Sequence, residues 1–125
     1  MGLSSHAERR RHPRYSGKLP IDLWQTPDVV LGGVVTDMSE AGLGFRSIHE
    51  IQISADLGIR VYLSKREFRF DSIEGTGRVI RRTAYQEQDW KGYRYGMDIL
   101  KMASYSRDRL MKYIQMLEEE ESSSH

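Results

Sequence analysis

Leu57-Gly58-Ile59-Arg60-Val61-Tyr62-Leu63-Ser64 places an apolar side chain at every second position. A period of two puts Leu57, Ile59, Val61 and Leu63 on one face of an extended chain, which predicts a half-buried β-strand. On its N-terminal side, from Lys18, the residues Ile21, Leu23 and Gln25 alternate with Asp22, Trp24 and Thr26. Pro27-Asp28 then marks a turn, and Val29 to Thr36 returns as the second strand of a hairpin. The pair Gly32-Gly33 inside that run predicts a bulge or bend that curves the sheet toward closure. Gly42 to Arg46 reads as a third strand. Beyond Ser64 come a long strand over Phe68 to Arg82, softened by Glu74-Gly75-Thr76-Gly77, and a last one over Gly92 to Leu100. No helical stretch between these six strands is long enough for a parallel crossover, so the expected fold is mainly β, an antiparallel barrel or sandwich.

The period changes near the end. Leu110, Ile114 and Leu117 recur at steps of four and three with Tyr113 beside them, which predicts a C-terminal α-helix laying one apolar stripe on the β-structure. Arg107, Asp108, Lys112 and Gln115 are expected to face water. The run Glu118 to Glu121 opposes the negative end of the helix macrodipole, so fraying is expected from there and disorder over residues 122–125.

Length and composition fit one small globular domain: 125 residues, 38% apolar and 30% charged. There is no cysteine, which excludes disulfides and thiolate metal sites and fits a reducing compartment. No apolar run approaches the roughly 20 residues that span a bilayer, and Met1 to Ala7 lacks the apolar centre of a signal peptide, so a cytoplasmic location without membrane insertion is expected. The histidines His6, His12, His49 and His125 are scattered, with no spacing that puts two on one helical face, which argues against a metal. No nucleophile, base and orienting group stand together, and no phosphate-binding loop is present. A binding module without enzymatic activity or cofactor is expected.

The formal net charge is only +1, yet the charge is uneven. Arg9, Arg10, Arg11 and Arg14 crowd the segment Glu8 to Tyr15, where Pro13 holds itself and His12 extended. Such a run is either a solvated tail or an anion-binding arm, since guanidinium groups are planar, always charged and forked. Asp37-Met38-Ser39-Glu40-Ala41-Gly42 follows an apolar run and has two readings of its own. In one, Asp37 and Ser39 shape a turn in which Gly42 supplies a positive φ. In the other, the Asp37 carboxylate accepts the adjacent N1–H and N2–H donors of a guanine, Ser39 bonds a phosphate or base, and Gly42 lets a ligand approach the backbone.

Together, Arg10-Arg11-His12-Pro13-Arg14 and Asp37-Met38-Ser39-Glu40-Ala41-Gly42 resemble the RxxxR and [DN]xSxxG elements of the PilZ domain, a bacterial receptor for cyclic di-GMP. The order and spacing also fit, and Tyr95-Gly96 resembles the glycine-bearing final strand of that family. The resemblance implies a six-stranded antiparallel barrel with a C-terminal helix (residues 17–121), a ligand-binding arm (residues 1–16) and a tail (residues 122–125). It implies that Arg10 and Arg14 fold over the dinucleotide against Asp37, Ser39 and Gly42, with Arg46 reaching a phosphate, and that a downstream protein receives the signal. An arginine directly before RxxxR, here Arg9, goes in that family with two cyclic di-GMP molecules per chain. The competing expectation is a small-barrel RNA or single-stranded DNA binder in which Tyr85, Tyr93 and Tyr95 form a stacking platform. A carboxylate such as Asp37 in a groove that tracks phosphates disfavours it.

Overall fold

The computed structural model describes residues 15–63 and 72–123. Arg9, Arg10 and Arg14, together with Ser64 and the Phe68 to Asp71 start of the fifth predicted strand, lie outside them. Six strands precede one helix: β1 (Tyr15–Trp24), β2 (Leu31–Met38), β3 (Gly42–Ser47), β4 (Asp56–Tyr62), β5 (Ser72–Glu87), β6 (Trp90–Met102) and α1 (Ser104–Ser123). All neighbours pair antiparallel, and the order β1-β2-β3-β6-β5-β4 closes on itself as a barrel.

The alternation in β4 is the one expected, with Leu57, Ile59 and Val61 buried and Leu63 following them inward. β4 meets β1 at Ile21↔Val61 and Leu23↔Ile59, so the apolar faces of both strands point into one core that Val35, Phe45, Ile73, Val79 and Met97 complete. Each such side chain contributes about 1.5 to 3 kcal/mol by leaving water.

The ladders shift register at four places, and two of these shifts, in β2 and in β5, bear on the cleft described below. In β2 the register shifts between Val35 and Asp37, so Val35 and Met38 both face the core while Thr36 and Asp37 both turn outward. In β5 the shift falls between Val79 and Arg81; Val79 is buried, and Ile80 and Arg81 are both exposed. Gly32-Gly33, predicted to hold the irregularity, instead sits in regular register against Asp22 and Ile21. Glycine at position 33 answers a close approach, because a Cβ there would lie 2.7 Å from the Arg46 carbonyl oxygen.

Strand ends also differ from expectation. β1 begins at Tyr15, inside the stretch assigned to the arm, because Tyr15 pairs with Met38 and Ser16 with Asp37. β2 extends to Met38, which makes Asp37 a strand residue. The β5–β6 hairpin runs out to Glu87↔Trp90, so Trp90, ahead of the last strand expected over Gly92 to Leu100, is a strand residue whose ring lies 5.5 Å from that of Tyr85.

Helix α1 packs beside β5 with Leu110, Tyr113 and Ile114 buried, and Arg107, Asp108, Lys112 and Gln115 exposed as predicted. The Glu74 amide donates to Ser106 Oγ (3.1 Å), and Arg109 Nη1 donates to the Ser72 carbonyl (2.8 Å). The helix continues to Ser123, past the expected fraying point at Glu118. Half-buried Met116 and Leu117 hold its last packed turn, and extending a formed helix through glutamates, which are good helix formers, costs little.

Tyr95 ties β6 to the β3–β4 connection. Its hydroxyl donates to the His49 carbonyl and accepts from the Ile51 amide at 2.8 Å, and burial pushes its phenol above the ordinary value. Tyr95→Phe leaves both backbone groups without that partner and is expected to cost about 1 to 3 kcal/mol in urea unfolding. The folded state favours the neutral phenol, whereas an unfolded tyrosine ionises near pH 10. Stability from this group is therefore complete below about pH 10 and falls as pH rises further, a decline expected to shrink in the phenylalanine variant.

Candidate functional site

The β2–β3 connection is a tight turn in which the Ser39 amide donates to the Gly42 carbonyl at 2.9 Å. The Ser39 hydroxyl accepts from the Ala41 amide (3.3 Å) and donates to the Gly42 carbonyl (3.5 Å), so it shapes the turn while also lining the adjoining cleft. The turn is anchored from behind. The Ile99 amide donates to the Ala41 carbonyl at 2.9 Å, and Arg107 of α1 stands 3.7 Å from the Glu40 carboxylate.

No glycine of the described residues has a positive φ, which removes that explanation for Gly42. A Cβ on Gly42 would lie 2.7 Å from the Met97 carbonyl oxygen, so glycine is needed there for β6 to approach. Two other glycines make room for side chains that reach across the sheet. Asp37, Gly44, Gly96 and Arg81 stand opposite one another on β2, β3, β6 and β5. A Cβ on Gly44 would collide with Asp37 Oδ1, and one on Gly96 would stand 2.8 Å from Arg81 Nη2. The missing side chains make a floor, and an acid and a base lean over it from opposite sides.

This floor lies in a cleft of about 420 Å³ lined by Asp37, Ser39 and Gly42 together with Thr36, Gly44, Arg81, Arg94 and Gly96, among others. Thr36 Oγ1 donates to Asp37 Oδ1 at 3.2 Å. The structure thus brings three of the sequence-predicted residues into one concavity. It adds Gly44, Arg81 and Arg94, which neither motif contains. Arg46 stands beside the cleft: it pairs with Arg94 across β3–β6, and its guanidinium lies 5.4 Å from the Trp90 ring centre and 5.8 Å from that of Tyr85. Arg94 lies 5.1 Å from the Tyr85 ring.

Apart from Arg109, which donates to the Ser72 carbonyl, the described arginines fall into two groups. Arg60, Arg78, Arg82 and Arg107 face Glu74, Asp56, Glu50 and Glu40 respectively, at 2.7 to 3.7 Å. Arg46, Arg81 and Arg94 have no carboxylate partner among the described residues, and all three project from the β3–β6–β5 wall around the glycine floor. Guanidinium groups gathered in a concavity, without a carboxylate partner among the described residues, raise the local positive potential there.

An exposed row of stacking tyrosines is not formed. Tyr95 is 4% exposed with both sides of its hydroxyl engaged, and Tyr93 and Tyr85 are half-buried beneath guanidinium groups. Among the described residues no three acidic or histidine side chains could share a metal ion, and no helix is long and apolar enough to cross a membrane.

The PilZ domain family matches residues 8–116. No curated protein matches the chain in sequence. Among solved structures, the PilZ domain of YcgR from Escherichia coli, determined with c-di-GMP, superposes with a TM-score of 0.70 at 18% identity, covering 93% of this chain and 96% of that one. MotI (DgrA), an inhibitor of motility from Bacillus subtilis, gives 0.71 at 17% identity over 88% of this chain and 51% of its own. PlzA of Borreliella burgdorferi, solved in complex with c-di-GMP, gives 0.59 at 12% identity over 99% of this chain and 57% of its own. The chain therefore spans little more than half the length of MotI and PlzA. These likenesses carry the fold, and the family match over residues 8–116 carries the assignment: the chain belongs to the PilZ domain family.

Proposed function

We propose that the chain is a receptor for cyclic di-GMP and that the cleft between Asp37 and Arg81 seats the dinucleotide. One observation carries this reading: β1 leaves the barrel beside the cleft, with Ser16 paired to Asp37. Arg14 is thereby one residue from a strand end that borders the site, and Arg10 lies within about 18 Å of chain from Tyr15. The Asp37 carboxylate accepts the N1–H and N2–H donors of a guanine, the glycine floor admits the base against the backbone, and guanidinium groups take the phosphates. Arg9, Arg10 and Arg14 close over the ligand, and the arm's change of state passes the signal to a downstream protein. The chemistry is binding without turnover, in the cytoplasm. Titration with cyclic di-GMP and separately with a single-stranded oligonucleotide tests the reading. Saturation by the dinucleotide alone is expected, and saturation by the oligonucleotide alone overturns it.

The same experiment addresses stoichiometry. Two stacked dinucleotides present four phosphate charges and further guanine faces, so an additional guanidinium at position 9 stabilises the second molecule. Two ligands per chain are expected, dropping toward one in Arg9→Leu with the first site retained. A fitted value of one for the unmodified protein rejects the second ligand and leaves the receptor intact.

A further inference from the structure

The β5 wall of the cleft is built as the counterpart of the β2 wall. β2 is bulged between Val35 and Asp37, and β5 between Val79 and Arg81. In each strand a buried valine is followed by two residues that both face outward, and all four of these, Thr36, Asp37, Ile80 and Arg81, line the cleft. A bulge forfeits ladder pairing and re-aims a side chain, and bulges concentrate beside functional sites. Here two bulges aim an acid and a base at the same floor. Asp37 reaches over Gly44 and Arg81 over Gly96, glycines that face each other directly across β3 and β6.

From this arrangement we infer that Arg81 is a second recognition residue, outside both sequence motifs, which takes a phosphate of the nucleotide whose base is held by Asp37. The inference rests on the receptor reading and adds this residue to it. A guanine nucleotide matches the opposed pair by chemistry: its base edge offers two donors to the carboxylate, and its phosphate offers acceptors to the guanidinium fork. The nearest strand neighbour of Arg81 on this face supports the assignment. Arg94 crosses from β6 at Thr83↔Arg94, also lines the cleft, and likewise lacks a carboxylate partner among the described residues. Arg94 directly opposes Arg46 on β3, a like-charge pairing that disfavours the empty sheet and that a bound anion relieves. The neighbouring Arg82 shows the contrast. Its side chain turns the other way, donates to the Ile51 carbonyl at 3.1 Å and faces Glu50, so it is structural.

The test is calorimetry with cyclic di-GMP on the full chain and on Arg81→Gln, Arg81→Lys and Arg82→Gln, with thermal unfolding of each. Arg81→Gln is expected to raise Kd about tenfold or more and to flatten the dependence of Kd on salt, because a charge-assisted contact is lost. Its unfolding temperature stays at that of the unmodified protein, since Arg81 is exposed on the outer side of the bulge. Arg81→Lys recovers part of the affinity and the salt dependence. Arg82→Gln lowers the unfolding temperature and leaves binding by the folded protein near the unmodified value. Binding by Arg81→Gln within twofold of the unmodified chain overturns the inference and leaves the receptor reading standing. Absence of binding by the unmodified chain overturns both.

Discussion

Asp37→Ala is expected to bind cyclic di-GMP roughly ten- to a hundredfold more weakly, the equivalent of about 1.5 to 3 kcal/mol for hydrogen bonds to a charged group. It is also expected to lose discrimination between guanine and adenine cyclic dinucleotides, since adenine has no N1–H and N2–H pair to offer the carboxylate. The barrel should remain intact. Asp37 is half-buried on the outer side of a bulge, and the core contacts of β2 come from Val35 and Met38. Calorimetry with both dinucleotides and a thermal melt of the free protein check the three parts together. Unchanged affinity, or a large fall in unfolding temperature with selectivity preserved, would show that Asp37 serves the β2–β3 turn and not the ligand.

The largest expected effect on stability lies directly beneath the cleft. Phe45 is 1% exposed and stacks on Tyr95 with ring centres 4.8 Å apart, so the two rings back the part of the β3–β6 wall that carries the glycine floor. Phe45→Ala removes a whole ring from a closed barrel, whose hydrogen-bonded circuit limits how far the surroundings can collapse. A loss of about 3 to 5 kcal/mol is expected, a large fraction of the 5 to 15 kcal/mol that typically holds a domain folded. Urea unfolding measures it. A loss under about 1 kcal/mol would mean that the wall repacks freely and that the floor is not rigidly supported.

The barrel was legible where a strand is regular and one face is buried. Leu57 to Leu63 shows its period without interruption because β4 contains no bulge and pairs along its length with β1 and β5. The site was harder to read for the opposite reason. Bulges place Asp37 and Arg81, and a bulge leaves only a local trace in sequence: adjacent Val79-Ile80 followed by adjacent Arg81-Arg82, where alternation would separate them. Gly32-Gly33 drew attention as a bulge signal, yet the glycine at 33 answers close strand approach. Gly44 carries the floor without a local signature and Gly96 was read only through its resemblance to the family's glycine-bearing final strand, because the role of each depends on which strands become neighbours. The last strand was started too late, at Gly92 and not at Trp90, for a similar reason. Gln88-Asp89 closes the hairpin with Gln88 at φ 44°, without the Asn-Gly or Gly-X pair that usually advertises a two-residue turn. The motif Asp37 to Gly42 was legible as a unit, although its glycine acts through Met97 and not through a positive φ.

Amide chemical shifts measured while cyclic di-GMP is added to the unmodified chain test the central claim most directly. The glycines serve as reporters on both sides of the barrel. Gly42, Gly44 and Gly96 border the cleft, whereas Gly58 lies under Trp24 on β4. The account predicts saturable shifts at Gly42, Gly44, Gly96 and Asp37, with Gly58 unmoved. Shifts confined to the Gly58 side, or none at millimolar ligand, would contradict it.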